Sequence, residues 1–287
     1  MVVESESLDH AKVLAELRQL LGDSLVEISV ETAEAPEAMQ AECVDTHCDA
    51  PLRGGVGIQE VNNANIVLGY CSAGFLATNS FGQERLITAG HCTDGGNNNW
   101  RAAQPRTGAW HVIGRPAAER FSGTGDFATV VINNVPGWEP RGLALVHESN
   151  GVRPTARDER YPINGVGTSG QVGVGVNGGF LCFTGIVNVN PTRCGRLTAV
   201  GQSSTYNGVT VNNLGRVDVS VCSGMSGGPV YVGRIGYGIV ASGTGGSFNT
   251  NYDTWIIPQR TANCRTRMYY QGLAQVLTDF DLTLMAP

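Results

Sequence analysis

Cys222-Ser-Gly-Met-Ser-Gly-Gly-Pro229 places Ser226 between Gly224 and the pair Gly227-Gly228, a turn with little side-chain bulk around one hydroxyl. A serine is a poor nucleophile at neutral pH unless a base takes its proton and donors hold the developing oxyanion. Backbone free of Cβ atoms can aim N–H groups at a reacting carbonyl. This reads Ser226 as a nucleophile and the amides of Gly224 and Ser226 as an oxyanion hole. A glycine-rich turn with an incidental serine is the competing reading, and the rest of the chain must decide between them.

A nucleophilic serine needs a base upstream or downstream. Of the five histidines, only His91 sits in a small-residue turn directly after an apolar run, in Ile87-Thr-Ala-Gly-His-Cys92, beside a cysteine that can pin its backbone. Histidine titrates near neutral pH with little tuning. The third member should be a carboxylate that fixes the imidazole tautomer. Asp126 heads the apolar run of Gly125-Asp-Phe-Ala-Thr-Val-Val-Ile132, a position where burial demands a partner. Asp94 and Asp218 fit turn or surface roles. An α/β-hydrolase also uses G-x-S-x-G, but there the histidine follows the serine. Here the last histidine is His147, so that class is excluded.

The surrounding texture is all-β. The chain has 287 residues with 39 glycines and 15% charged residues, which implies many turns. From Arg53 onward it breaks into short β-like runs: Asn65–Tyr70, Ala73–Thr78, Glu84–Ala89, Trp110–Gly114, Phe127–Ile132, Gln171–Val176, Gly185–Val189, Val209–Val211, Arg216–Val221, Pro229–Val232 and Ile235–Val240. Many short strands separated by turn signals predict a barrel or sandwich, and this length suits two barrels. The end returns to helical spacing at Leu273, Val276 and Leu277, followed by Leu282–Met285.

The first fifty residues differ. Residues 8–21 predict an amphipathic helix closed by Gly22, and Leu25–Glu31 alternates like a strand. Thr32–Ala50 is acidic, carries Pro36 and predicts a linker. Residues 1–50 hold a net charge of −10 and residues 51–287 one of +4, within a total of −6. This predicts either an accessory or pro-segment that docks by charge and inhibits intramolecularly, or a solvated extension. There is no run of 18 apolar residues, so no membrane-spanning helix is expected, and no basic-then-apolar signal pattern follows Met1. Eighteen of the nineteen basic residues are arginine; no functional account of that bias follows. A net-acidic chain without a basic cluster is not expected to bind nucleic acid. Eight cysteines without a C-x2-C pair favour disulfides and an oxidising, extracellular setting over a metal site.

The order His91, Asp126, Ser226 resembles that of the chymotrypsin-fold serine peptidases, and the chain is most similar to the bacterial streptogrisin and α-lytic group. The Thr88–Cys92, Gly125–Val130 and Cys222–Pro229 blocks carry the resemblance. Pro51–Val56 and Met268–Leu277 are similar to the opening and closing segments of that catalytic domain. The likeness covers residues 51–287. It implies two antiparallel six-stranded barrels, residues 51–150 with His91 and Asp126 and residues 151–287 with Ser226 and a C-terminal helix. It also implies a secreted, monomeric endopeptidase acting on protein or peptide substrates without metal or cofactor. The implied disulfides are Cys71–Cys92, Cys182–Cys194 and Cys222–Cys264, which leaves Cys43–Cys48.

One departure matters. The family usually has Asp immediately before the nucleophile, where this chain has Met225. An inactive relative that uses the fold for binding is therefore the alternative, and an esterase a third reading. By the resemblance, Ser220 maps to the base of the substrate pocket and Ala241, Ser242 and Gly243 to its wall. With no acid at Ser220, and with none of the wall histidine of glutamate-specific relatives, an apolar residue before the cut bond is expected.

Overall fold

The computed structural model describes residues 43–146, 158–187, 191–251 and 261–287. The helix expected over 8–21, the strand over Leu25–Glu31 and most of the linker lie outside them. The first half supplies β1 (Cys43–Val44), β2 (His47–Cys48), β3 (Gly57–Val61), β4 (Val67–Ser72), β5 (Leu76–Asn79), β6 (Glu84–Thr88), β7 (Asn99–Gln104), β8 (Ala109–Gly114), β9 (Pro116–Ser122), β10 (Gly125–Val131) and β11 (Leu143–Val146). The second half supplies β12 (Asp158–Pro162), β13 (Gly165–Val166), β14 (Phe180–Thr184), β15 (Thr192–Tyr206), β16 (Val209–Asp218), β17 (Val221–Cys222), β18 (Pro229–Val232), β19 (Ile235–Asn251), β20 (Thr261–Gly272) and β21 (Leu282–Leu284).

Strands of the first half pair as a four-stranded sheet, β4-β3-β7-β8, and a five-stranded sheet, β21-β5-β6-β10-β9. Both face one core, in which Ile58, Leu86, Trp100, Ile113 and Val130 are buried. The second half is an eight-stranded sheet, β13-β19-β18-β14-β15-β16-β20-β17, which β19–β20 pairing closes on itself. Leu181, Phe183, Val217, Val230, Val240 and Met268 fill it. This is an all-β double barrel, but the strands do not divide six and six. The C-terminal strand β21 returns to pair with β5 of the first barrel, and β13 adds a parallel edge to β19.

A third cluster joins the barrels. Phe75, Ile87 and Phe127 from the first meet Tyr231, Ile239 and Leu273 from the second. This explains why β10 reads as a continuous apolar run, since a strand covered on both faces has no need to alternate. The helix at Leu273–Asp279 buries Leu273 and Val276 in the same cluster, as their spacing predicts.

Among the described residues, two expected runs differ from the strands predicted. Gln171–Val176 instead forms a short helix (Ser169–Val172) and a 3-10 turn (Gly175–Asn177). A capping box holds its start, with the Thr168 amide donating to Gln171 Oε1 at 2.7 Å, and local capping of this kind outweighs β propensity. Gly185–Val187 makes no strand, and the remainder of that expected run lies outside the described residues. Ile186 and Val187 are fully buried, so their apolar character serves packing rather than pairing.

One compact unit spans Ala41–Pro287. The hairpin of β1 and β2 is closed by Cys43–Cys48, and Thr46 and His47 are fully buried. The Gly57 amide donates to Thr46 O at 2.8 Å. These residues pack against the strands of the first barrel.

Candidate active site

His91 sits in a single helical turn, α1 (Gly90–Thr93), directly after β6. Gly90 is required there, because a Cβ would come within 2.2 Å of Arg120 O on β9. That close approach brings the turn against β10, where Asp126 is fully buried. The His91 amide donates to Asp126 Oδ1 at 2.8 Å, and His91 Nδ1 lies 2.8 Å from Oδ2. An Nδ1–H donated to the carboxylate leaves Nε2 as an acceptor on the opposite edge of the ring.

Asp126 Oδ2 accepts a further hydrogen bond at 2.6 Å from the hydroxyl of Tyr206. Three donors on one buried carboxylate offset its desolvation. Burial, and then the charge of Asp126, hold the Tyr206 pKa above its usual value, so the phenol stays protonated as a donor. Its ring packs edge-on to His91 at 5.3 Å and against Phe121 at 5.6 Å. Tyr206 ends β15 at the Tyr206-Asn-Gly-Val209 turn, and thus reaches the first barrel from a hairpin of the second.

Ser226 lies in the turn between β17 and β18. Gly224 and Gly227 have φ of +87° and +83°, a region open to glycine and strained for other residues. The Gly227 amide donates to Val240 O at 2.8 Å, and the Val240 amide to Gly228 O at 2.9 Å. Ser72, at the end of β4, secures the other side of the loop. Its amide donates to Ser226 O at 2.8 Å and its hydroxyl to Gly224 O at 2.8 Å. The Ile186 amide donates to Ser72 Oγ at 3.0 Å, and the Thr88 hydroxyl to Ser72 O at 3.1 Å. Both loop carbonyls therefore point into the protein, and the amides of Gly224 and Ser226 make no hydrogen bond among the described residues.

Met225, between those two amides, is fully buried in the second core. Its Sδ accepts the Cys222 amide at 3.4 Å. The loop is thus held by apolar packing and by Ser72, with no acid at residue 225 to be paired.

His91 and Ser226 line one cleft of about 380 Å³. No hydrogen bond joins their side chains; such contacts often tighten only when substrate binds. Ala241, Ser242 and Gly243 line the same cleft. Ser220 does not, because its carbonyl and hydroxyl are taken by Arg193 Nη1 at 3.0 and 2.9 Å. Thr205, Tyr206, Asn207, Asn263 and Arg265 complete much of the lining. Sequence reasoning missed Ser72, Tyr206 and Arg265. Signals existed for two of them: Asn207-Gly208 marks a hairpin turn, and Arg265 follows a cysteine expected at the pocket.

All four expected disulfides are present, at Cys43–Cys48, Cys71–Cys92, Cys182–Cys194 and Cys222–Cys264. Among the described residues no group of three metal-ligating side chains occurs, and no helix is long and apolar enough to cross a membrane.

Solved structures with the same architecture include Nocardiopsis protease (NAPase), with a TM-score of 0.56, 24% identity and coverage of 83% of this chain and all of that one. The chain has the chymotrypsin fold. Thermobifida fusca protease A matches with a TM-score of 0.53 at 22% identity, over 83% of this chain and all of that one. Cellulomonas bogoriensis chymotrypsin matches with 0.52 at 23% identity, over 82% and 98% respectively. No family model and no curated protein sequence matches the chain.

Proposed function

We propose that the protein is a serine endopeptidase in which Ser226 attacks the scissile carbonyl, His91 takes its proton and Asp126 orients the imidazole and stabilises the imidazolium. The amides of Gly224 and Ser226 receive the oxyanion, and His91 then protonates the leaving amine. Water hydrolyses the acyl-enzyme by the same route in reverse roles. The observation that carries this reading is the buried Asp126 carboxylate, with Oδ1 on the His91 amide and Oδ2 beside Nδ1, set behind a cleft that His91 shares with Ser226. Four disulfides support an extracellular setting. Val221, Val240 and Ala241 give the cleft an apolar wall, the observation behind the apolar residue expected before the cut bond.

The test is labelling by a fluorophosphonate, which reacts only with an activated serine, beside Ser226→Ala and His91→Ala. Label on Ser226 that is lost in both variants, together with cleavage of a denatured protein, supports the reading. Folded, oxidised protein that takes no label with or without residues 1–40 points to the binding homologue, for which the absence of an acid at residue 225 is the supporting observation. Cleavage of esters but not of peptides points to the esterase.

The charge split between residues 1–50 and the remainder supports intramolecular control of the cleft by the acidic segment. Removing residues 1–40, which lie outside the compact unit Ala41–Pro287, should raise labelling rate or alter folding yield. Unchanged values for both would reject control by this segment.

A further inference from the structure

One charged side chain in the cleft takes no part in the chemistry proposed above. Arg265 lines the cleft with Ser226, is exposed, and makes no side-chain hydrogen bond or ion pair with any described residue. No Asp or Glu is among the lining residues. Its neighbour Arg267 does find an acid, Asp218, at 3.5 Å on the outer surface. Among the described residues, Arg265 is therefore a cation at the cleft without a counter-charge.

Packing fixes where it stands. Arg265 is opposite Val221 in the β17–β20 ladder, next to the Cys222–Cys264 pair. Its stem runs against the wall strand at Gly243. A Cβ on Gly243 would come within 2.9 Å of Arg265 Cβ, 3.2 Å of its Cγ and 2.5 Å of Val221 Cγ1. The missing side chain at Gly243 thus makes room for the arginine stem beside the pocket wall. Asn263 shares the Arg265 face of β20, two residues away. Its carbonyl accepts the amide and hydroxyl of Ser223 at 2.8 and 3.1 Å, which ties this face to the loop that carries Ser226.

We infer that the residue preceding the cut bond is acidic and that the Arg265 guanidinium pairs with its carboxylate, the methylenes lying along Val221, Val240 and Ala241. This rests on the serine peptidase reading. It replaces the fully apolar preference expected from sequence, since the wall is apolar but the cleft holds an unpaired cation. A guanidinium offers a planar fork matched to a carboxylate. Hydrogen bonds to charged groups of this kind correspond to about tenfold to a hundredfold in rate.

The experiment measures inactivation of the full chain, at neutral pH, by peptidyl diphenyl phosphonates that present Glu, Asp, Leu, Phe or Arg to the pocket. A simple fluorophosphonate without a pocket group runs in parallel. The expected result is at least tenfold faster inactivation by the Glu or Asp probe than by Leu or Phe. Arg265→Leu should abolish that gap, and Arg265→Glu should favour the Arg probe, each read as the ratio of probe rates within the one variant. Fastest reaction with an apolar or basic probe in the unmodified protein, or an acidic preference that survives Arg265→Leu, overturns the inference alone. Failure of the fluorophosphonate to label Ser226 both in the full chain and after removal of residues 1–40 overturns the peptidase reading and this one with it.

Discussion

Met225→Asp would introduce the acid that the sequence resemblance leads one to expect before Ser226, and this structure predicts that it is damaging. The side chain is fully buried among Leu181, Phe183, Val187, Val230 and Val240. A carboxyl in such a site has its pKa raised by about 3–5 units, to roughly 7–9. Unfolded, it ionises near about 3.9. At pH 7 the unfolded state is therefore favoured by about 3 units, or about 4 kcal/mol. That is a large share of the roughly 5–15 kcal/mol that holds a domain folded. The folded-state pKa lies above the unfolded one, so the penalty is absent below about pH 3.9 and grows as pH rises. Met225→Asn loses the same packing without the charge, so the difference between the two variants isolates the carboxyl. Urea unfolding followed by tryptophan fluorescence should give a gap of about 4 kcal/mol at pH 7 that closes towards pH 4. Label on Ser226 should fall in parallel for the Asp variant. Equal stability at pH 7 would falsify the reasoning, because it would require a cation to reach residue 225. Arg193, which donates to Cys222 Sγ at 3.3 Å, would then be the partner to test.

Three further outcomes follow from the same geometry. Tyr206→Phe removes the 2.6 Å donor to Asp126 and should lower kcat/KM by about tenfold; an unchanged value would mean that the hydroxyl is not needed to seat the carboxylate. Ser72→Ala frees the Gly224 carbonyl and should reduce kcat by about tenfold or more with little change in KM, since the hole acts on the transition state. The carbonyl stretch of a stable acyl-enzyme should shift towards that of a free ester, and an unshifted band would argue against Ser72 as a positioning residue. Burial lowers the His47 pKa from 6.5 to about 4, although Asp45 partly raises it. The unfolded chain binds this proton first, so stability should fall as pH drops from 6.5 to about 4, by about 3 kcal/mol. His47→Gln should flatten the unfolding free energy in that window, and a slope equal to the parent's would reject the assignment.

The sequence made the local parts of the site legible and hid those made across the fold. Gly90, Gly224 and Gly227 sit within a few residues of His91 and Ser226, so composition alone marks those turns. Asp126 was readable because an acid heading a strand as apolar as β10 has to be paired. Ser72 was not, because its hydroxyl acts on a carbonyl 152 residues away. Tyr206 was hidden for a different reason. The β15–β16 hairpin is half-exposed and polar along much of its length, so it has little of the alternation that announces a strand. Arg265 follows Cys264, a cysteine expected at the pocket, but it is the β17–β20 register that brings it to the cleft.

These hidden contacts share a property with consequences for how the site forms. Asp126 and His91 belong to the first barrel, yet the phenol that completes the carboxylate's partners comes from the second. In the opposite direction, Ser72 of the first barrel orients the carbonyls of the oxyanion loop in the second. Each barrel thus leaves the other's half of the chemistry unfinished. The apolar cluster of Phe75, Ile87 and Phe127 against Tyr231, Ile239 and Leu273 is what brings them together. A cavity there, as in Phe127→Ala, should therefore cost activity before it unfolds either barrel. The loss should fall on kcat through both the base and the oxyanion hole, because docking, rather than the folding of either half, sets Tyr206 on Asp126 and Ser72 on Gly224.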